Sequence, residues 1–149
     1  KHFVEGIRKV CDKGIRLRVL GDISLLPQDI QDLVRKVEAE TAQYKDRGVN
    51  IALAYGARAE IVRAANEAIA EGKPLTEESL SARLYTAGQP DPDLIIRTSG
   101  ECRLSNFMMW QASYSEFYFT DVLWPDFAPE HLDQAIAEYH RRNRRFGGV

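Results

Sequence analysis

A chain of 149 residues with 44% hydrophobic and 28% charged side chains has ordinary globular proportions. It is long enough to bury about 70% of its unfolded surface, and it is neither disordered, collagen-like nor coiled-coil. Twenty Lys and Arg against 22 Asp and Glu leave a formal charge of −2, so the overall field draws the molecule to neither nucleic acid nor anionic lipid, and any anion site has to be local.

Phe3, Ile7 and Val10 fall at helical spacing up to Gly14, and Ile15, Leu17 and Val19 then alternate with Arg16 and Arg18 as in a strand. Pro27 opens a second helix whose Ile30, Leu33, Val34, Val37, Thr41 and Tyr44 form one stripe ended by Gly48. The almost wholly apolar run 49–55 reads as a strand buried on both faces. Gly56 turns the chain into a helix carrying Ile61, Val62, Ala65 and Ile69, closed by Gly72 and Pro74, and Thr76 caps a shorter helix reaching Tyr85.

After the rigid connector Gln89-Pro90-Asp91-Pro92, Leu94-Ile95-Ile96 gives a third buried strand, Asn106 to Ala112 a helix, and Phe117-Tyr118-Phe119 a fourth strand. Pro129 opens a last helix with Leu132, Ile136 and Tyr139 on one face. Alternating strands and helices predict the α/β class, with a mostly parallel sheet flanked by helices in a single domain over 1–149. No apolar run approaches the roughly 20 residues of a membrane helix, and the N-terminus lacks the regions of a signal peptide. The two cysteines, Cys11 on an apolar helix face and Cys102 in a loop, fit a reducing cytosol.

In open parallel sheets ligands lie beyond the carboxyl ends of the strands. The richest such place is Arg97-Thr98-Ser99-Gly100-Glu101-Cys102-Arg103-Leu104-Ser105-Asn106: two guanidinium groups, three hydroxyls, and a glycine that lets backbone amides approach an anion. If Ser105 caps the next helix, that helix's free amides point to the same place. From spacing alone, the arginines serve equally well as surface ion-pair partners of Glu101 and other carboxylates. No Walker motif and no Gly-x-Gly-x-x-Gly is present, so a nucleotide is not indicated. From Leu104 to His140 there are six acids and no Lys or Arg, and Arg141, Arg142, Arg144 and Arg145 follow at once. One of the acids, Glu116, could hold Mg²⁺ on a phosphate or simply be solvated. The three histidines are dispersed and form no metal constellation. Trp110 and Trp124 read as core or subunit interface.

The run from Asp93 through Arg97-Thr98-Ser99-Gly100-Glu101 and Arg103-Leu104-Ser105-Asn106-Phe107, then Trp110-Gln111, then Tyr114 through Glu116-Phe117-Tyr118-Phe119-Thr120-Asp121 to Phe127, resembles the C-terminal signature of the cis-prenyltransferases, the undecaprenyl diphosphate synthase family. Weaker likenesses at Leu17 to Asp22, at Asn50 to Arg58 and at Arg144 to Gly148 extend it over nearly the whole chain.

The resemblance implies an enzyme that condenses isopentenyl diphosphate with an allylic prenyl diphosphate to make a cis-polyprenyl diphosphate, with Mg²⁺ as cofactor. Arg97, Arg103, Leu104 and Ser105 would hold the diphosphate of isopentenyl diphosphate, and Glu116 would help to bind Mg²⁺. Arg145 and Gly147 would reach the partner's site in a homodimer. The implied location is cytoplasmic, with peripheral membrane contact for product release. The family's Asp-Gly-Asn-Gly-Arg-Trp phosphate loop and its catalytic Asp have no counterpart in this sequence, so the chain is expected to carry no catalytic residue of its own and to be inactive alone. Cys102 stands where some relatives have a His, and Ala57 where a Gly is common; a thiol is a poor ligand for a hard ion. The alternative is a non-catalytic subunit of a two-component cis-prenyltransferase, although such a chain would be expected to lose the substrate residues retained here.

Overall fold

The computed structural model describes residues 13–142, so the first expected helix, Cys11, and the Arg145 and Gly147 of the tail lie outside the described residues. The chain divides after Ala87 into two units, 1–87 and 88–149.

In the first unit the alternating run becomes β1 (Arg16–Leu20), helix α1 spans Gln28–Thr41 directly after Pro27, and β2 covers Gly48–Ala52. The two strands pair in parallel from Arg16 opposite Gly48 to Leu20 opposite Ala52, with α1 as the crossover. Leu17 and Val37 are buried together, with Val19, Leu33 and Ile51 packed around them. The edge of β1 away from β2 is closed by α1: the Leu17 amide donates to the Thr41 hydroxyl at 3.1 Å and the Val19 amide to the Glu38 carboxylate at 2.7 Å. The Thr41 hydroxyl in turn donates to the Val37 carbonyl at 2.8 Å. Replacing Thr41 by Val keeps the volume but strands the buried Leu17 amide, which is expected to cost about 1–3 kcal/mol and lower the melting temperature by several degrees.

Four expectations for this unit are corrected. The α1 stripe ends at Thr41, before Tyr44, with Ala42 capping it. The run 49–55 is not buried on both faces: β2 ends at Ala52 and is largely exposed, because β1 is its one strand neighbour among the described residues and α1 packs against β1. In α2 (Ala57–Ala70), Val62 and Ile69 are 59% and 72% exposed; the buried face is Ala57, Glu60, Ala64 and Ala68. Small residues let that face approach its neighbours closely, whereas Val62 and Ile69 fall off it. Thr76 caps α3 (Glu77–Ser81) through a capping box with Ser79, but α3 stops short of Tyr85. Gly21 has φ +133°, and a Cβ there would overlap the Leu53 carbonyl oxygen.

In the second unit, β3 (Leu94–Arg97) pairs in parallel with β4 (Glu116–Phe119), from Leu94 opposite Glu116 to Arg97 opposite Phe119. Of the expected buried strand, Ile95 is buried and its neighbours are half-buried. The predicted helix over 106–112 is absent: Ser105, Asn106 and Met108 take φ of +49°, +64° and +47°, a left-handed backbone that cannot propagate a right-handed helix. A short 3₁₀ turn at Gln111–Tyr114 follows. The last helix, α4 (Pro129–Arg141), starts at its proline as expected, but Leu132 and Ile136 remain exposed and Ala135 is the buried residue. Its packed face carries Glu138, and Arg142, just past the helix end, forms ion pairs with Glu138 and with Glu116 of β4. All strand pairing among the described residues is parallel, which puts the chain in the α/β class.

Candidate active site

Side chains two apart on a strand share a face, so Ile95 and Arg97 of β3 lie on one face of the ladder with Phe117 and Phe119 of β4. The two phenylalanine rings stack, 6.0 Å between centroids and 10° between planes. A pocket of about 220 Å³ opens on this face, walled by Ile95, Leu104, Phe107, Phe117 and Phe119, with Arg97 and Arg103 as its charged members. An apolar wall with a cationic lip suits a ligand that is anionic at one end and hydrocarbon at the other.

The two arginines differ. Arg97 is half-buried, and its guanidinium makes no ion pair or hydrogen bond with any described residue. A partly desolvated cation left without a partner favours binding an anion. Arg103 is exposed and forms an ion pair with Glu101, so the surface-pair alternative is realised for it even as it lines the pocket.

Two other elements of the expected anion site are corrected. With no helix after Ser105, there is no helix terminus to supply amides; Ser105 sits exposed in a left-handed turn and does not line the pocket. The amides of Ser99 and Gly100 are already spent, donating to the Val122 and Thr120 carbonyls at 2.9 and 3.0 Å. The Ser99 and Gly100 amides are therefore not available to an anion, whereas the guanidinium of Arg97 is. Four of the five non-glycine residues with positive φ among the described residues, Ser99, Ser105, Asn106 and Met108, fall in this loop, and such backbone costs roughly 1–3 kcal/mol per residue and concentrates at functional sites.

Glu116 lies elsewhere. It starts β4 opposite Leu94, on the ladder face opposite to that of Arg97 and three residues, about 10 Å, back along the strand. Its Oε2 accepts from Arg142 Nη1 at 2.9 Å, while Oε1 accepts from no described residue. The same Nη1 donates to the Phe117 carbonyl at 2.8 Å, and Arg142 Nε donates to Glu138 at 3.2 Å. The bond to Glu116 raises the pKa of Arg142; Arg141, followed by Arg142, holds the Glu138 carboxyl below the usual carboxylate range. A carboxylate with one oxygen fixed by a donor and one open fits a single coordination position of Mg²⁺, which accepts one or two carboxylates beside substrate oxygens and water. No group of three or more His, Cys, Asp or Glu among the described residues could hold a metal ion without such help. Cys102 is exposed, its thiol 3.9 Å from the Gly100 carbonyl.

Sequence reasoning missed the aromatic wall as part of the site, although the period-two spacing of Phe117 and Phe119 carried it. It also missed Arg142 as a partner of Glu116, which no spacing rule brings together across 26 residues.

A family model described as "Putative undecaprenyl diphosphate synthase" matches residues 1–147. The chain belongs to that prenyltransferase family. It is 49% identical to an isoprenyl transferase of Listeria monocytogenes, over 99% of this chain and 61% of the relative, and 52% identical to one of Fusobacterium nucleatum, over 99% and 64%. The chain thus spans about three fifths of the length of these curated relatives. Two crystal structures share the prenyltransferase fold. A probable undecaprenyl diphosphate synthase of Campylobacter jejuni superposes with a TM-score of 0.86 at 37% identity, covering 97% of this chain and 68% of the other. The lavandulyl diphosphate synthase of Lavandula x intermedia, in complex with dimethylallyl diphosphate, gives 0.89 at 35%, covering 98% and 68%. No helix among the described residues of this family member is long and apolar enough to cross a membrane.

Proposed function

We propose that this chain carries the isopentenyl diphosphate side of a cis-prenyltransferase acting as a single domain. The observation that carries this reading is the half-buried Arg97, without a partner among the described residues, at the mouth of an aromatic pocket. Arg97, joined by Arg103 once Glu101 releases it, holds the diphosphate, while Phe107, Phe117 and Phe119 enclose the five-carbon group and orient its double bond. Leu104 shapes the pocket wall, and Ser105, next to it in the chain but outside the pocket lining, is assigned to the diphosphate from the family resemblance alone. The condensation expels diphosphate from an allylic partner, so positive charge near the phosphates lowers the barrier by matching the negative charge that grows there. Mg²⁺ bound by Glu116 and substrate oxygens would supply further charge neutralisation. The Arg145 and Gly147 of the tail are assigned to the diphosphate bound by the partner in a homodimer. The allylic site and catalytic Asp are assigned to family segments that this sequence does not contain, and the setting to the cytoplasm, with peripheral contact to a membrane for product release.

Calorimetric titration tests the reading. The 149-residue chain should bind isopentenyl diphosphate, lose that binding on Arg97→Ala, and incorporate no labelled isopentenyl diphosphate into lipid. Undiminished binding by the variant would return Arg97 to a structural role.

A further inference from the structure

Arg142 makes three contacts that a solvent-facing helix end does not need: to the Glu116 carboxylate, to the Phe117 carbonyl and to the Glu138 carboxylate. The contact to the Phe117 carbonyl ties the guanidinium to the backbone of β4, so the group cannot swing away without breaking a bond beside Glu116 as well. One guanidinium thereby fixes Oε2 of Glu116, leaves Oε1 presented, and places a full positive charge beside the one carboxylate assigned to a divalent cation.

These two effects oppose each other. Orientation by a hydrogen bond on the far oxygen favours coordination through Oε1. A neighbouring cation disfavours it, because two positive charges then share one carboxylate in a partly desolvated setting, where screening is weak. A diphosphate anion arriving with the cation removes the conflict by supplying negative charge beside Glu116, on the ladder face away from Arg97.

We propose that Arg142 is a positioning residue that makes divalent-cation uptake at Glu116 conditional on a diphosphate anion: it holds the carboxylate in place and keeps a lone cation off it. The proposal deepens the functional reading above and rests on the assignment of Glu116 made there.

The test is Mn²⁺ binding to the 149-residue chain, read from the electron paramagnetic resonance signal of the free ion, with and without inorganic diphosphate. Without diphosphate, Arg142→Gln should bind Mn²⁺ about tenfold more tightly than the unsubstituted chain, since a nearby positive charge is gone. Arg142→Lys retains the charge and should behave like the unsubstituted chain, which separates electrostatics from a loss of packing. The double variant Glu116→Gln with Arg142→Gln should lose the gain. With saturating diphosphate the difference between Arg142→Gln and the unsubstituted chain should shrink. Equal Mn²⁺ binding by Arg142→Gln and the unsubstituted chain, or a gain that survives in the double variant, overturns the role of Arg142. If Glu116→Gln alone leaves diphosphate-dependent Mn²⁺ uptake unchanged, the assignment of Glu116 falls and the proposal falls with it.

Discussion

On the function proposed above, Arg97→Ala, tested in a form that also carries the allylic site, is expected to raise the KM for isopentenyl diphosphate by tenfold to a hundredfold while changing that of the allylic substrate little. Each hydrogen bond between an ionised donor and a phosphate oxygen is worth roughly 1.5–3 kcal/mol, and the Arg97 guanidinium has no competing partner among the described residues to dilute the loss. Arg103→Ala should cost less. That side chain is exposed and already paired with Glu101, so binding phosphate exchanges one ionic partner for another. Arg97→Lys should restore only part of the affinity, because a single ammonium cannot reproduce a planar fork. Steady-state kinetics with each substrate varied in turn checks the order Arg97 above Arg103. Equal effects of the two alanines, or equal effects on both substrates, would contradict the pocket as described.

The second large effect is on stability. Glu60 is 1% exposed in the first turn of α2, where its Oε2 accepts from the Tyr55 hydroxyl at 2.6 Å and its Oε1 from the Tyr85 amide at 2.7 Å. Around it, Arg18 donates to the Tyr85 and Ala87 carbonyls at 3.0 and 3.3 Å, and Arg63 donates to the Arg83 carbonyl at 2.6 Å while lying 4.3 Å over the Tyr85 ring. Three charged side chains thus hold the turn 83–87, and Glu60 is the buried member. Glu60→Ala strands two donors, leaves two arginine charges less well balanced and opens a void. A loss of about 3–5 kcal/mol is expected, a large share of the 5–15 kcal/mol that holds a typical domain together. Glu60→Gln keeps an acceptor for the Tyr85 amide and obliges the Tyr55 hydroxyl to turn and accept, so about 1–2 kcal/mol is expected. Urea unfolding measures both; an alanine variant as stable as the glutamine one would show that the carboxylate is dispensable.

Strand positions were legible in the sequence because β-branched and apolar runs between turn residues need no tertiary information, and β1, β3 and β4 begin and end within a residue or two of expectation. Helix starts at Pro27, Gly56, Thr76 and Pro129 were equally legible from local chemistry. Which face a helix buries was not. In α2 the aliphatic residues point outward and an alanine stripe with a glutamate points inward, an arrangement decided by what Tyr55 and Tyr85 offer across the turn. In α4 Ala135 is buried while Leu132 and Ile136 stay exposed, and the helix end is tied to β4 through Arg142 and Glu116, residues far apart in sequence. The loop after β3 shows the same limit: Asn106 to Ala112 has helical composition, yet left-handed residues at its start deny it a helix. Two of the amides credited to the anion site, those of Ser99 and Gly100, bond instead with the residues after β4, a pairing no local pattern foretells.

The close approach of Gly21 to the Leu53 carbonyl has a consequence for how the protein can vary. In a saturation library selected for folding, position 21 should return glycine alone: alanine, the smallest replacement, already collides with backbone rather than with a side chain that could rotate aside. Gly72 has open space around its Cβ direction and asks only for a left-handed backbone, which asparagine accepts at modest cost. Deep sequencing of survivors would therefore separate a glycine retained for volume from one retained for conformation.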